Sequence, residues 1–348
     1  MALIASEHTV CEYPAFLQYL LVGLADESIP VALVSPPEWD SSSVFTSAAE
    51  VIAHPVIDMP LVGPLNTRLL AERLMRFKPT VLHCLCESGA SVTRQLAHRL
   101  DVPYVLAVNS LGRRWSRLSV SPTHCAKIIV PAKSIAANVA GVHPRLADRI
   151  EQINMGTFAE ETATCFSEPS HLATLMTAHR FENVDECENL LGVARHLLIE
   201  DYEFMMVIVG SGRADRKLWK LLAALGLLNI VTLVPRGMPW HSLLASADIF
   251  IRPQPRYVFD PQLLGAMSVG AAVAGCRGGV DDLIIEEQTA LVFDPNDENS
   301  ILRTLREFLD RRERARQMAG AALDYLRKNH SVSGMISATL QVYRGANG

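Results

Sequence analysis

No run in this chain of 348 residues approaches the ~20 consecutive apolar residues of a membrane-spanning helix, although 49% of it is hydrophobic. Charge is scarce at 20%, and it is not of the sign that nucleic acid attracts. The net charge is -5 and the pI is near 6.1, which excludes binding by a broad basic surface. Met1–Ser6 has no basic start and too short an apolar stretch for a secretory leader, so none is expected. Paired cysteines are also lacking. Cys11, Cys84, Cys86, Cys125, Cys165, Cys187 and Cys276 are odd in number and scattered, which suits reduced thiols in a cytoplasmic protein rather than a disulfide framework. His83-Cys84-Leu85-Cys86-Glu87 has the wrong spacing for a zinc knuckle and no second pair to complete four ligands, so it reads as a buried strand end and no metal is expected. Internal repeats and low-complexity tracts are absent.

What the chain does have is a steady alternation of short apolar strands with helical periods, the signature of βαβ units around parallel sheets. Parallel strands covered on both faces also account for the apolar composition. In the first half, strands are expected at 2–5, 30–34, 80–83, 104–108, 127–130 and 150–153, with helices at 15–26, 65–77 and 89–100. The stretch 157–170 has no clear period and reads as an interdomain linker. In the second half, strands are expected at 172–177, 204–209, 230–234, 249–251, 272–275 and 290–293. Helices are expected at 188–199, 218–225, 240–245, 261–269 and 300–319, with a last one near 332–343. The reading is α/β, with two doubly wound Rossmann-like domains at 1–156 and 171–331 and a cleft between them. The helix within 332–348 is expected to cross back to the first domain.

Three strand-to-helix turns in the second half stand out. Val209-Gly210-Ser211-Gly212 follows a strongly apolar strand, where glycines let a ligand approach the backbone and a helix start favours phosphate. The second is Tyr257–Gly270, a loop leading into a small-residue helix with Pro261 in its first turn. The third is Gly275-Cys276-Arg277-Gly278-Gly279, followed by Asp281 and Asp282.

In order and spacing these turns resemble the donor-binding domain of GT-B glycosyltransferases of family 4, the retaining nucleotide-sugar enzymes. The family's Glu-Gly-Phe-Gly-x-x-x-x-Glu-Ala-Met-x-x-Gly stretch lines up with Tyr257–Gly270, keeping Phe259, Ala266, Met267 and Gly270. Its Gly-Gly-x-Pro-Glu stretch resembles Gly278–Asp282, and its downstream Thr-Gly-Leu-Leu-Val-x-Pro-x-Asp resembles Thr289–Asp297. Ser246–Phe250 is similar to its Ala-Asp-Val-Phe, and Gly141–Gly156 to the segment closing its first domain. The resemblance implies the GT-B architecture and a nucleotide diphosphate sugar as donor, with no other cofactor. It implies donor contacts from Gly210, Ser211, Gly212, Tyr257, Phe259, Gly278, Gly279 and Asp282, and phosphate contact from Arg180.

The departures bear on activity. The family's two glutamates hold the donor sugar and the ribose; here the positions are Tyr257 and Gly265, neither of which offers a carboxylate. Each lost charge-assisted bond is worth roughly 1.5–3 kcal/mol. The family's diphosphate-clamping Lys corresponds to Asp185. Its Gly-Gly loop after the first strand falls at Ser6–Pro14, which has no glycine, and its histidine in the first domain corresponds to Asn109, which still suits a sugar hydroxyl. Plainer readings stand beside the functional ones. Arg180 also suits an ion pair with Glu182 or Asp185, the glycines suit simple turns, and Asp260 suits a helix cap before Pro261. Arg113, Arg114, Trp115 and Arg117 fit either a solvated face or contact with an anionic membrane at its inner face. Two functions follow: a retaining hexosyltransferase acting on a glycan or lipid acceptor, or a non-catalytic relative that binds a partner glycosyltransferase, a glycan or a nucleotide.

Overall fold

Runs of three to five residues with every side chain buried form the middle of both sheets. In the computed structural model, which describes all residues except 40–48, 58, 60–62, 113–117, 169–170, 180–182, 211–214, 236–239 and 348, the chain divides into two compact units. The first unit holds residues 1–156 and 330–348, and the second holds 157–329.

The first unit is built on a seven-stranded sheet. Its strands are β1 (Ala2–Ile4), β2 (Val31–Ser35), β3 (Ala49–Ala53), β4 (Leu82–Cys84), β5 (Tyr104–Ala107), β6 (Cys125–Val130) and β7 (Ile150–Gln152), in the order β3-β2-β1-β4-β5-β6-β7. Every pairing is parallel, with Leu3 of β1 opposite both Leu33 and His83. β1, β2, β4 and β5 are buried at every position, as parallel strands covered on both faces must be. β3, absent from the expected strands, is the edge strand, and only Ile52 of its five residues is buried.

Among the described residues, six α-helices accompany this sheet: α1 (Glu7–Glu12), α2 (Pro14–Asp26), α3 (Gly63–Phe77), α4 (Ala90–Leu100), α5 (Lys133–Val142) and, at the end of the chain, α11 (Val332–Asn347). α11 packs on α2, β5 and β6. Its Tyr343 Oη lies 2.6 Å from His83 Nδ1 in the core. Burial pushes the His83 imidazole down to about 3 and raises the Tyr343 phenol, so both are neutral and the bond carries no charge.

The second unit carries a six-stranded parallel sheet. It comprises β8 (Ala173–Ala178), β9 (Phe204–Val209), β10 (Val231–Val234), β11 (Ile249–Arg252), β12 (Ala272–Gly275) and β13 (Leu291–Val292), in the order β10-β9-β8-β11-β12-β13. Its helices are α6 (Asp185–Ile199), α7 (Asp215–Leu225), α8 (Pro261–Ser268), α9 (Glu298–Asp310) and α10 (Arg312–Asn329). In each sheet the chain starts near the middle, works to one edge, and returns to build the other, which places a topological switch point beside β1 and beside β8.

Two expectations need correction here. The first concerns 157–170, read as a linker. Its described part is packed into the second unit: Cys165 and Phe166 are buried in that core, Glu160 N–H donates to Ser268 O (2.8 Å), and Cys165 N–H donates to Gly270 O (3.2 Å). Two buried apolar side chains outweigh the polar composition that suggested a linker. The second concerns the helix over 300–319, which divides at Arg311 (φ −123°, ψ 62°) into α9 and α10. The apolar period runs through the break, so only packing marks it.

At the amino-terminal edge of the second sheet, Asp248 is 2% exposed and fully engaged. Its carboxylate accepts Phe166 N–H, Thr174 N–H (2.8 Å) and His171 Nε2 (2.7 Å), which ties β11 to the entry of β8. This aspartate is therefore a structural member of the Ser246–Phe250 stretch.

Candidate functional site

A site in a doubly wound domain forms outside the carboxyl ends of the strands at the switch point. In the second unit those ends are followed by His179 after β8, Gly210 after β9, the 253–260 loop after β11 and the 276–280 turn after β12. His179 N–H donates to Val209 O (3.0 Å), and Gly210 N–H to Val234 O (3.1 Å), so both turns stay in register with the sheet beneath them. Gly210 has φ +138°.

The two helices that begin here receive carboxylates from the chain itself. α6 opens with Asp185, Glu186 and Glu188 in its first turn. Glu186 Oε1 accepts Asn183 N–H (3.3 Å), while its Oε2 lies 3.4 Å from His179 Nε2. Burial lowers the His179 pKa, and the Arg256 charge lowers it further against the pull of Glu186. At α8, Asp260 is the N-cap, accepting the N–H groups of Gln262 and Leu263 at 3.2 Å each. Arg256 Nη1 closes over it, 3.1 Å from Asp260 Oδ1 and 3.0 Å from Gln262 Oε1. The positive ends of both helix dipoles are thus already met by side-chain carboxylates.

Sequence reasoning missed Arg252, which reads as an ordinary strand end. It is only 1% exposed, and its guanidinium donates to Val280 O (2.9 Å) and Gly278 O (3.2 Å). Burial lowers its pKa, while Asp260 counters that effect. The arginine in an apolar run, Ile249-Phe250-Ile251-Arg252, was the available signal. Gly279 (φ +72°) sits so close to the 253–260 loop that a Cβ there would lie 2.0 Å from Arg256 O. Across this contact Val280 N–H donates to Arg256 O (2.7 Å), and Gly278 N–H donates to Asp281 Oδ2 (3.0 Å).

The other expected residues divide as follows. Tyr257 projects outward at 66% exposure, whereas Phe259, at 1%, belongs to the core. Gly265 lies within α8, where a Cβ would meet Leu244 Cδ1 at 3.3 Å. Asp282 is half-buried, and its charge adds to burial in raising the pKa of Tyr325. Arg180, Ser211 and Gly212 lie outside the described residues, as do Arg113, Arg114, Trp115 and Arg117.

In the first unit, Asn109 follows β5 and is buried. Its amide Nδ2 donates to Leu85 O (3.0 Å) and its N–H to Glu87 Oε2 (3.1 Å), so its donors brace the β4 and β5 ends against each other. The Ser6–Pro14 stretch, where the resemblance places a glycine loop, contains α1 instead. Ser6 and Thr9 form a reciprocal capping box at its start. Cys84 and Cys86 are buried thiols, and burial pushes Cys84 up to about 12. Among the described residues, no three His, Cys, Asp or Glu side chains gather to hold a metal ion, and no helix is long and apolar enough to cross a membrane.

Residues 166–324 match the family model described as Glycosyl transferases group 1. No curated protein sequence matches the chain. Among solved structures, it is similar to a glycosyltransferase from Rickettsia africae (13% identity, TM-score 0.81, covering 99% of this chain and 97% of that one). It is also similar to Anabaena HepE, solved with UDP and glucose (12% identity, TM-score 0.78, covering 99% and 98%). A third similar structure is sucrose-phosphate synthase from Thermosynechococcus elongatus (16% identity, TM-score 0.77, covering 99% and 98%). Residues 166–324, most of the second unit, are thus similar to the glycosyl transferases group 1 family, and the chain has the GT-B fold.

Proposed function

We propose that this chain is a non-catalytic relative of the group 1 glycosyltransferases, one that binds glycan on the transferase scaffold instead of moving a hexosyl unit. The observation that carries this reading is the acidic occupation of both helix starts at the switch point. Retaining transfer from a nucleotide diphosphate sugar requires stabilising negative charge on the departing diphosphate. Here α6 opens on three carboxylates and α8 on Asp260. One carboxylate about 4 Å from a phosphate charge costs on the order of 4 kcal/mol at an effective dielectric of ~20. Arg256 is already paired with Asp260, and Arg252 with two carbonyls. The two glutamate positions hold Tyr257 and Gly265, and the nearby Asp260 and Asp281 are engaged as cap and turn acceptors.

A second reading, transfer of a hexosyl unit to a glycan or lipid acceptor, draws support from one observation. HepE, solved with UDP and glucose, shares the fold over nearly the full length. In that reading Arg180 and Gly210–Gly212 hold the diphosphate. Tyr257, Gly278, Gly279 and Asp282 frame the donor, Phe259 contributes only from the core, and Asn109 meets the sugar. Either reading fits a cytoplasmic protein with reduced thiols, held at the inner membrane face by Arg113, Arg114, Trp115 and Arg117, or by a partner glycosyltransferase.

Calorimetric titration with UDP- and GDP-hexoses separates the two. Non-catalytic binding predicts no saturable heat at millimolar nucleotide sugar. Saturable binding that Arg180→Ala abolishes overturns it.

A further inference from the structure

Residues 211–230 carry Arg213, Arg216, Lys217 and Lys220 against one carboxylate, Asp215, in a chain whose net charge is -5. The middle of this stretch forms α7, which joins β9 to the edge strand β10 and packs on α6. Its inner face is apolar and closed, with Leu218 and Leu222 buried. Its outer face presents Arg216, Lys217, Trp219, Lys220, Ala223 and Ala224, all exposed, with Trp219 at 51%.

The helix does not need these groups for itself. Cations in a first turn oppose the helix dipole, and Arg216 and Lys217 stand there. Arg216 with Lys220, at i,i+4, and Lys217 with Lys220, at i,i+3, are like-charge neighbours that repel. Elsewhere in this unit exposed arginines are met by carboxylates: Arg306 by Glu200, Arg311 and Arg314 by Glu307, and Arg316 by Glu313. Among the described residues no carboxylate meets Arg216, Lys217 or Lys220, and the sequence of 211–214 contains none. Trp219 leaves half its surface in water, although Leu218 and Leu222 already fill the core beneath.

An exposed tryptophan among cations has the composition of an interface centre, and the charge selects an acidic partner. Ala223 and Ala224 keep the next turn low, so a second chain can lie along the helix. The rest of the surface limits that partner's size. An extended anionic surface, such as a bilayer or a nucleic acid, repels the acidic remainder of this chain, whereas a polypeptide segment covers α7 alone. We propose that the outer face of α7 docks an acidic segment of a partner polypeptide, with an apolar side chain against Trp219 and carboxylates against Arg216, Lys217 and Lys220. This goes beyond the glycan-binding reading and does not depend on it.

Fluorescence polarisation with the full chain tests it, using short labelled peptides that alternate Glu with Leu or Phe, and the same peptides with Lys for Glu as controls. Trp219→Ala and the pair Lys217→Glu with Lys220→Glu change only exposed side chains, and thermal melting confirms that both variants fold. At least one acidic peptide is expected to bind, and more weakly as salt rises. Its affinity should fall at least about tenfold in Trp219→Ala and vanish in the charge-reversed pair. The proposal is overturned if no acidic peptide binds, if binding survives both variants, or if the Lys peptides bind equally well. It is also overturned if phosphatidylserine vesicles or oligothymidylate displace the peptide, or if the parent sediments as a dimer that charge reversal dissolves. Those results assign the face to a membrane, a nucleic acid or a second copy of the chain.

Discussion

Replacing Gly279 with alanine tests whether the glycine turn after β12 is a structural joint rather than a ligand cradle. At φ +72° an alanine pays roughly 1–2 kcal/mol for the left-handed backbone alone. Its Cβ would lie 2.0 Å from Arg256 O, a backbone atom that cannot rotate away, so the 253–260 loop must separate from the turn. Separation breaks the 2.7 Å bond from Val280 N–H to Arg256 O, worth about 0.5–1.5 kcal/mol. It also strains the Arg252 bond to Val280 O at 2.9 Å, a charged contact worth about 1.5–3 kcal/mol. The total is about 3–6 kcal/mol. For a unit spanning 157–329, each kcal/mol lowers Tm by roughly 2–4 °C, so a fall of about 6–24 °C is expected by scanning calorimetry. Gly278→Ala is the control: its Cβ meets Pro255 at 3.4 Å, an ordinary contact, which leaves the strain of φ +106° and a fall of only about 2–8 °C. Equal falls for the two variants, or a Gly279→Ala protein melting within about 3 °C of the parent, would refute the reasoning.

Asp248→Asn should cost the second unit about 3 kcal/mol, because it weakens three buried contacts at once and leaves His171 without its counter-ion. The same variant should alter the pH response. Burial opposes protonation of His171, but its bonds to Asp248 and Glu168 O outweigh this and hold its pKa above the ordinary value. That stabilisation is complete below about pH 6.5 and is lost as pH rises through the raised pKa; melting curves across pH 5–9 should show the decline in the parent and a flatter profile in the variant. Tyr343→Phe removes the buried bond to His83 and should cost about 1–3 kcal/mol, read as faster amide exchange in α11. With His83 held down to about 3, that cost should not change between pH 5 and 8. Restoring the carboxylate pair as Tyr257→Glu with Gly265→Glu should yield folded protein, since Gly265 meets only Leu244, at 3.3 Å, and helix-interior glycine is itself unfavourable by about 1 kcal/mol. No turnover of UDP-glucose is expected from that variant, because Asp185 and Glu186 still face the helix start.

Much of this was legible in the sequence because parallel strands covered on both faces leave unbroken apolar runs, and β1, β2, β5, β9 and β12 each read that way. The Asp260 cap was legible too, from Asp-Pro before a small-residue helix. β3 was not, since an edge strand with only Ile52 buried leaves neither a run nor a clean alternation. α1 was hidden by a capping box that uses Thr9 in place of the usual Glu or Gln, in a stretch where the resemblance suggested a loop. The division at Arg311 and the packing of Cys165 and Phe166 are set by tertiary contacts with no local mark. At the site, the missing glutamates could be read directly from Tyr257 and Gly265. Arg256 closing over Asp260, and Arg252 gripping the glycine turn, required the fold, because those partners meet only when the loops after β11 and β12 come together.

The most direct test of the central claim is nucleotide release. The full chain is incubated with UDP-glucose, UDP-galactose, UDP-N-acetylglucosamine and GDP-mannose, with and without maltose or lactose as acceptor, and free nucleotide is measured over hours. Acidic helix starts and an absent glutamate pair predict release at the rate of the protein-free blank for every donor. Release above the blank that Arg180→Ala removes would contradict the account and return the chain to the active transferases.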